Sequence, residues 1–156
     1  LQALIDFGAI IDDTEMMFHH SALMVAALNG HEKTVQLLLK AGANPLLKDT
    51  SGRSALLLAA TNNHLSVLIE LLNSGQKGDQ VDSNGNGIWH LIAMSDVTND
   101  NSQNEYVSEQ KIKSPFIKMQ DLISRGILLE SLNNNGETAL MIAVKKGRIQ
   151  KIKELF

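Results

Sequence analysis

Cysteine is absent from this 156-residue chain, proline occurs twice, and tryptophan and tyrosine once each. Without cysteine, disulfide staples and thiolate chemistry are excluded, and the expected setting is intracellular, in cytoplasm or nucleus. Neither sign of charge dominates: 14 Lys and Arg face 17 Asp and Glu, a net charge of −3. Such a balance gives no bulk attraction to nucleic acid or to an anionic membrane. Aromatics make up 4% of the chain, too few to interleave a basic strip as single-strand binders do. The most apolar run, Ala55 to Ala60, is too short to span a bilayer and is followed by Thr61-Asn-Asn-His64, so no direct membrane insertion is expected. What remains, 44% hydrophobic and 20% charged, is enough for a folded core.

A phrase recurs four times: Ser21-Ala-Leu-Met-Val-Ala-Ala27, Ser54-Ala-Leu-Leu-Leu-Ala-Ala60, Gly87-Ile-Trp-His-Leu-Ile-Ala93 and Thr138-Ala-Leu-Met-Ile-Ala-Val144. Ser21 and Ser54 lie 33 positions apart, as do His31 and His64, Gly42 and Gly75, and Gly52 and Gly85. A period of that length points to stacked supersecondary units. Within each unit a Gly-bearing turn precedes a short apolar segment opened by Ser, Thr or Gly, then a polar break, a second apolar segment and a closing Gly. Val35, Leu38 and Leu39 share one face of a helix, and Gly42 stops it.

The frame resembles the ankyrin repeat, whose units run Asp, two variable residues, Gly, one variable residue, then Thr-Pro-Leu-His. The resemblance covers essentially the whole chain and implies an all-α solenoid, an array of helix-turn-helix units joined by β-hairpin loops. The units are a partial one at 1–15, complete ones at 16–48, 49–81 and 82–132, and a partial one at 133–156. Both ends read as cut, so the chain is expected to be a piece of a longer array, a single repeat domain in itself.

Several features depart from the family pattern. Asp49-Thr-Ser-Gly52, Asp82-Ser-Asn-Gly85 and Asn133-Asn-Asn-Gly136 match the hairpin tip, but Met16-Met-Phe-His19 does not and is one residue longer. No unit holds both the Thr and the His that bond between neighbouring units in the family, and none has the helix-starting Pro. Ser21, Ser54 and Thr138 remain able to cap the inner helices. An array less stable than consensus is expected. Gly85 and Gly136 lie 51 positions apart, which leaves about 18 extra residues near 96–113 in the fourth unit. That insert is polar and aperiodic around Asp96 to Asn104, reads as a loop, and holds the lone Tyr106. Order resumes at Ser114-Pro115, with Phe116, Met119, Leu122 and Ile123 as a helical stripe. Leu23, Leu56, Trp89 and Leu140 are the expected inner-helix core. Leu38, Leu39, Leu71, Leu72, Leu122 and Ile123 are their outer-helix partners.

Chemistry-bearing constellations are weak. The frame accounts for His31, His64 and His90, and adjacent His19 and His20 lack the spacing of a metal site. Asp82-Ser-Asn-Gly-Asn-Gly87 begins like a calcium loop, but its twelfth position is Ala93 where a bidentate Glu is needed. Gly85-Asn-Gly87 starts a dinucleotide fingerprint whose third glycine would fall at His90. Asp12, Asp13 and Glu15 read as solvated turn residues. No nucleophile with its base stands out, so no enzyme activity, metal or cofactor is expected.

A solenoid exposes a long concave face, and the resemblance implies that partners sit on its hairpin tips and inner-helix ends. In the second unit this selects Met17, Phe18, His20, Leu28 and Asn29. The third supplies Thr50, Ser51, Arg53, Thr61 and Asn62, and the fourth Ser83, Asn84, Asn86, Met94 and Ser95. The fifth offers Lys145 and Lys146, with Asn134, Asn135 and Glu137 at its tip. Met17, Phe18 and Leu28 make an apolar cluster suited to anchoring a partner. Charge is uneven too: Asp6, Asp12, Asp13 and Glu15 make one end acidic, while Lys145, Lys146, Arg148, Lys151 and Lys153 make the other basic. The expected function is a non-catalytic module that binds a partner protein or peptide. Two alternatives share its physics: a structural or regulatory segment packed in cis on a catalytic or channel domain, and an effector sent by a pathogen into host cytosol.

Overall fold

A computed structural model describes residue 3, residues 9–95 and residues 121–147. The insert expected at 96–113, the start of the stripe at Phe116 and Met119, and the basic residues after Lys146 lie outside the described residues.

The elements run in pairs: α1 (Ala22–Leu28) with α2 (Glu32–Lys40), α3 (Ala55–Thr61) with α4 (Leu65–Asn73), then α5 (Ile88–Met94) and α6 (Ala139–Lys145). Residues 121–124 are also helical. Helices of seven residues are too short to persist alone, so packing must hold them. The inner helices α1, α3, α5 and α6 stack in that order, and α2 lies against α4 as the outer layer. Small side chains permit the close approach. In α3, which has an inner helix on both sides, Ala55 through Ala60 are all buried. On α6 the equivalents of Leu57 and Ala60, Met141 and Val144, are half exposed.

Most of the expected core is in place: Leu23, Leu38, Leu56, Leu71, Leu122 and Trp89 are buried. Leu39 and Leu140 are partly buried. Ile123 departs from expectation and is 51% exposed. Neighbouring residues of a helix diverge by about 100°, and Leu122 takes the inward direction. The Trp89 ring is enclosed and its Nε1–H donates to the Ile127 carbonyl at 3.1 Å, so its polar edge is satisfied. Ile127 stands where the second unit has the small buried Ala43. Space for it comes from Gly78, where a Cβ would lie 2.6 Å from Ile127 Cγ1.

The hairpins form a ladder of their own. Thr50 N–H donates to the Phe18 carbonyl (3.1 Å), Ser83 N–H to that of Ser51 (3.0 Å) and Asn134 N–H to that of Asn84 (3.0 Å). At each tip one side-chain oxygen holds the turn. Asp49 Oδ1 accepts from the N–H groups of Ser51 and Arg53, Asp82 Oδ1 from Asn84 and Asn86, and Asn133 Oδ1 from Asn135 and Glu137.

The capping hydroxyls behave differently from one another. Ser21 and Thr138 accept from the N–H groups of Met24 and Met141 as expected. Ser54 does not cap α3, and its Oγ donates to Gln80 Oε1 at 2.6 Å. Gln80 lies 26 positions later, in the connection that follows α4.

Candidate interaction surface

The first hairpin is built from substitutes. It has no Gly at its tip, so His19 takes the left-handed conformation (φ 58°) that Gly52, Gly85 and Gly136 adopt elsewhere. Glu15 N–H reaches the His20 carbonyl across five positions, whereas Asp49 N–H reaches that of Arg53 across four, so this turn is one residue longer. The side chain lengthens to match. Glu15 has one more methylene than Asp, and its carboxylate accepts from the N–H groups of Met17 (2.7 Å), Phe18 and His20 (3.3 Å). Desolvation pushes the Glu15 carboxyl up, but these three donors outweigh it and hold the group below its ordinary value. The bend presents Met16, Met17 and Phe18 to solvent, 95%, 76% and 52% exposed. Phe18 also stacks on His20, ring centroids 5.6 Å apart.

Behind this tip lies a charged knot. Asp49, its side chain 1% exposed, meets the Arg53 guanidinium through Nε (2.9 Å) and Nη2 (2.8 Å). Burial raises the Asp49 carboxyl, yet the backbone and side chain of Arg53 and the N–H of Ser51 together hold it below the usual range. His20 Nε2 sits 3.5 Å from Asp49 Oδ2, in ion-pair range but without a hydrogen bond.

At the other end of the same face an amide chain joins the fourth and fifth units. Asn86 Nδ2 donates to Asp82 Oδ2 (3.1 Å), Asn133 Nδ2 to Asn86 Oδ1 (3.0 Å) and to Glu137 Oε2 (3.3 Å). Lys145 Nζ completes it on Glu137 Oε1. Lys145 and Asn133 thereby lower the Glu137 carboxyl against a smaller desolvation effect. A pocket of about 390 Å³ opens over this chain, walled by the hairpin residues Asn84, Asn86, Asn133, Asn135 and Glu137, by Met94, Ile142 and Lys145 from the inner helices, and by Lys146 at the end of α6.

The residues selected from sequence thus fall into three groups. Asn84, Asn86, Met94, Lys145 and Lys146 share that pocket. Met17, Phe18, Thr50, Ser51 and Ser83 stand exposed along the hairpin tips. The rest are engaged internally: Arg53 with Asp49, Asn29 Nδ2 with the Val25 carbonyl, Thr61 Oγ1 with that of Leu57, and Asn62 Nδ2 with that of Leu28. Ser95 is buried, and Leu28 and His20 are partly so. Asn133 and Ile142 complete the pocket without having been selected. The repeat frame carried a signal for Asn133, since it equates that residue with Asp49 and Asp82.

A larger cleft of about 610 Å³ lies elsewhere, between residues 76–81 and 125–131, over Leu72, Ile88 and Trp89. It contains none of the selected residues. Its Arg125 is already bonded to Asp121 and Asn73. Among the described residues no group of three or more His, Cys, Asp or Glu could hold a metal, and no helix is long and apolar enough to cross a membrane.

This stack of helix pairs and bonded hairpins agrees with comparison to known sequences. A family profile described as ankyrin repeats (3 copies) matches residues 1–85. The chain belongs to the ankyrin-repeat family. The chain is also similar to protein HOS4 of Saccharomyces cerevisiae (strain ATCC 204508 / S288c), 48% identical over 48 residues. That stretch is 31% of this chain and 4% of the yeast protein, so the likeness covers a small part of the relative. In ankyrin terms, His90 keeps the bond between units although its Thr partner is lost. Gly87 N–H donates to His90 Nδ1 (3.2 Å), and His90 Nε2 reaches the Glu137 carbonyl (2.9 Å).

Proposed function

We propose that the chain is a non-catalytic interaction module that binds a partner protein or peptide across its hairpin tips and inner-helix ends. The observation that carries this reading is the first hairpin. Met17 and Phe18 are exposed on a turn whose backbone is fixed from within by Glu15 and from the next unit by Thr50. A turn already fixed loses little backbone freedom on binding, and the large apolar area of Phe18 and the adaptable Met17 beside it suit a binding hot spot. The extended face, rather than one deep cavity, favours a macromolecular ligand over a small one.

Affinity capture with the intact protein and its Met17→Ala/Phe18→Ala variant tests this. The double variant leaves Glu15 and its backbone bonds in place, so it should fold. A partner set that the wild type retains and the variant loses supports the reading. Identical recovery by both removes the hairpin from it.

A further inference from the structure

We propose that the pocket between the fourth and fifth units seats an acidic segment of a partner protein, with a side-chain carboxylate held at Lys146 and its stem against Met94 and Ile142. The inference rests on the interaction reading above and names the chemistry that one end of the face selects.

It follows from counting donors and acceptors around the pocket. Glu137 is its single carboxylate, and both oxygens are taken, one by Lys145 and one by Asn133. Asn86 uses its oxygen for Asn133 and its nitrogen for Asp82. Asn133 spends its oxygen on two backbone N–H groups and its nitrogen on Asn86 and Glu137. The pocket's one carboxylate and the Asn86 and Asn133 amides are therefore engaged within the protein, and two ammonium groups stand against that single carboxylate. Among the described residues Lys146 makes no ion pair, and an ammonium carries three N–H groups, of which Lys145 gives one to Glu137. Lys146 is exposed at the pocket wall. An occupant that brings acceptors and negative charge completes this arrangement, whereas one that brings ammonium or guanidinium meets like charge. The sequence beyond adds Arg148, Lys151 and Lys153 against a single Glu154. The apolar wall of Met94 and Ile142 suits the methylenes of Glu or Asp, which a small inorganic anion would leave unused.

The test is panning of a phage-displayed random dodecapeptide library on the intact protein and on Lys146→Glu and Lys146→Gln. Thermal melts confirm that both variants fold; Gln serves if Glu disturbs the end of α6. The wild type should enrich peptides rich in Asp and Glu, and neither variant should. A synthetic acidic peptide from the selection should bind Lys146→Glu at least about tenfold more weakly by fluorescence anisotropy, and should weaken as salt rises. Peptides enriched without acidic excess, or acidic ones that bind the variants equally, overturn this inference and leave the interaction reading standing. No enrichment at all overturns this inference, and the capture experiment with Met17→Ala/Phe18→Ala then decides the interaction reading by itself. A concentration-dependent mass in sedimentation that Lys146→Glu abolishes would assign the pocket to a second copy of the chain and overturn the proposed occupant.

Discussion

His90 Nε2 lies 2.9 Å from the carbonyl of Glu137 while Nδ1 receives the N–H of Gly87, and the ring is fully buried between two units. A backbone N–H can only donate, so Nδ1 is the acceptor and the proton sits on Nε2. The imidazole therefore joins the start of α5 to the hairpin before α6, with both nitrogens in use. His90→Leu keeps volume, and Leu57 already fills the equivalent place in α3. It should still lower stability by about 1–2 kcal/mol, since Gly87 N–H loses its acceptor while the Glu137 carbonyl keeps Asn133 N–H. Urea unfolding of the intact protein measures this; an unchanged midpoint would mean that the bond contributes nothing.

Asn63 should be improvable. It adopts φ 57° between α3 and α4, where the equivalent residues are Gly30 and Gly147, and both atoms of its buried amide lack a partner. Asn63→Gly removes the unsatisfied amide and the cost of the left-handed conformation. A gain of about 1 kcal/mol is expected, seen as a higher melting temperature. A loss would show that packing around the side chain outweighs its unmet hydrogen bonds.

Gly78 and Ile127 should be coupled. Gly78→Val places atoms where Ile127 Cγ1 stands and should cost about 1–3 kcal/mol. Ile127→Ala restores the residue found at Ala43 and should recover much of that loss. A double-mutant cycle by chemical unfolding gives the interaction energy. Additive effects would deny the contact.

Acid should weaken the array through its hairpins. Asp49 and Glu15 both have folded values below their ordinary 3.8 and 4.5. The unfolded chain therefore takes up protons first as pH falls. The stability that the two carboxylates supply is complete at pH well above those ordinary values, and is lost as pH drops through the folded ones. Unfolding midpoints at pH 7, 5 and 3 should fall, most steeply in the last interval. Asp49→Asn should flatten that fall and, at pH 7, cost about 2 kcal/mol by leaving Arg53 without its carboxylate. A slope unchanged by Asp49→Asn would contradict the assignment.

The fold was legible because every unit must bury the same faces, so Ser21, Ser54, Gly87 and Thr138 mark the inner helices directly. Long-range pairings were less so. That His19 replaces Gly and Glu15 replaces Asp depends on a turn one residue longer, whose hydrogen bonds only the folded hairpin displays. Ser54 makes no cap bond and donates to Gln80, a partner that no local pattern announces. The pocket lies further still from the text, because Asn86 and Asn133 stand 47 positions apart across the long fourth unit. Its two lysines and Asn84 could be placed on the right face from sequence. The pairing of Glu137 with Lys145 and Asn133, which leaves Lys146 without an ion pair, could not.

Hydrogen exchange on the intact protein, alone and with a partner recovered by affinity capture, tests the central claim most directly. Protection should appear at 17–20, 50–53, 83–86 and 134–137 and at the ends of the inner helices, with α2 and α4 unchanged. Protection confined to α2 and α4, with the hairpins unaffected, would place the partner on the opposite face and contradict the account.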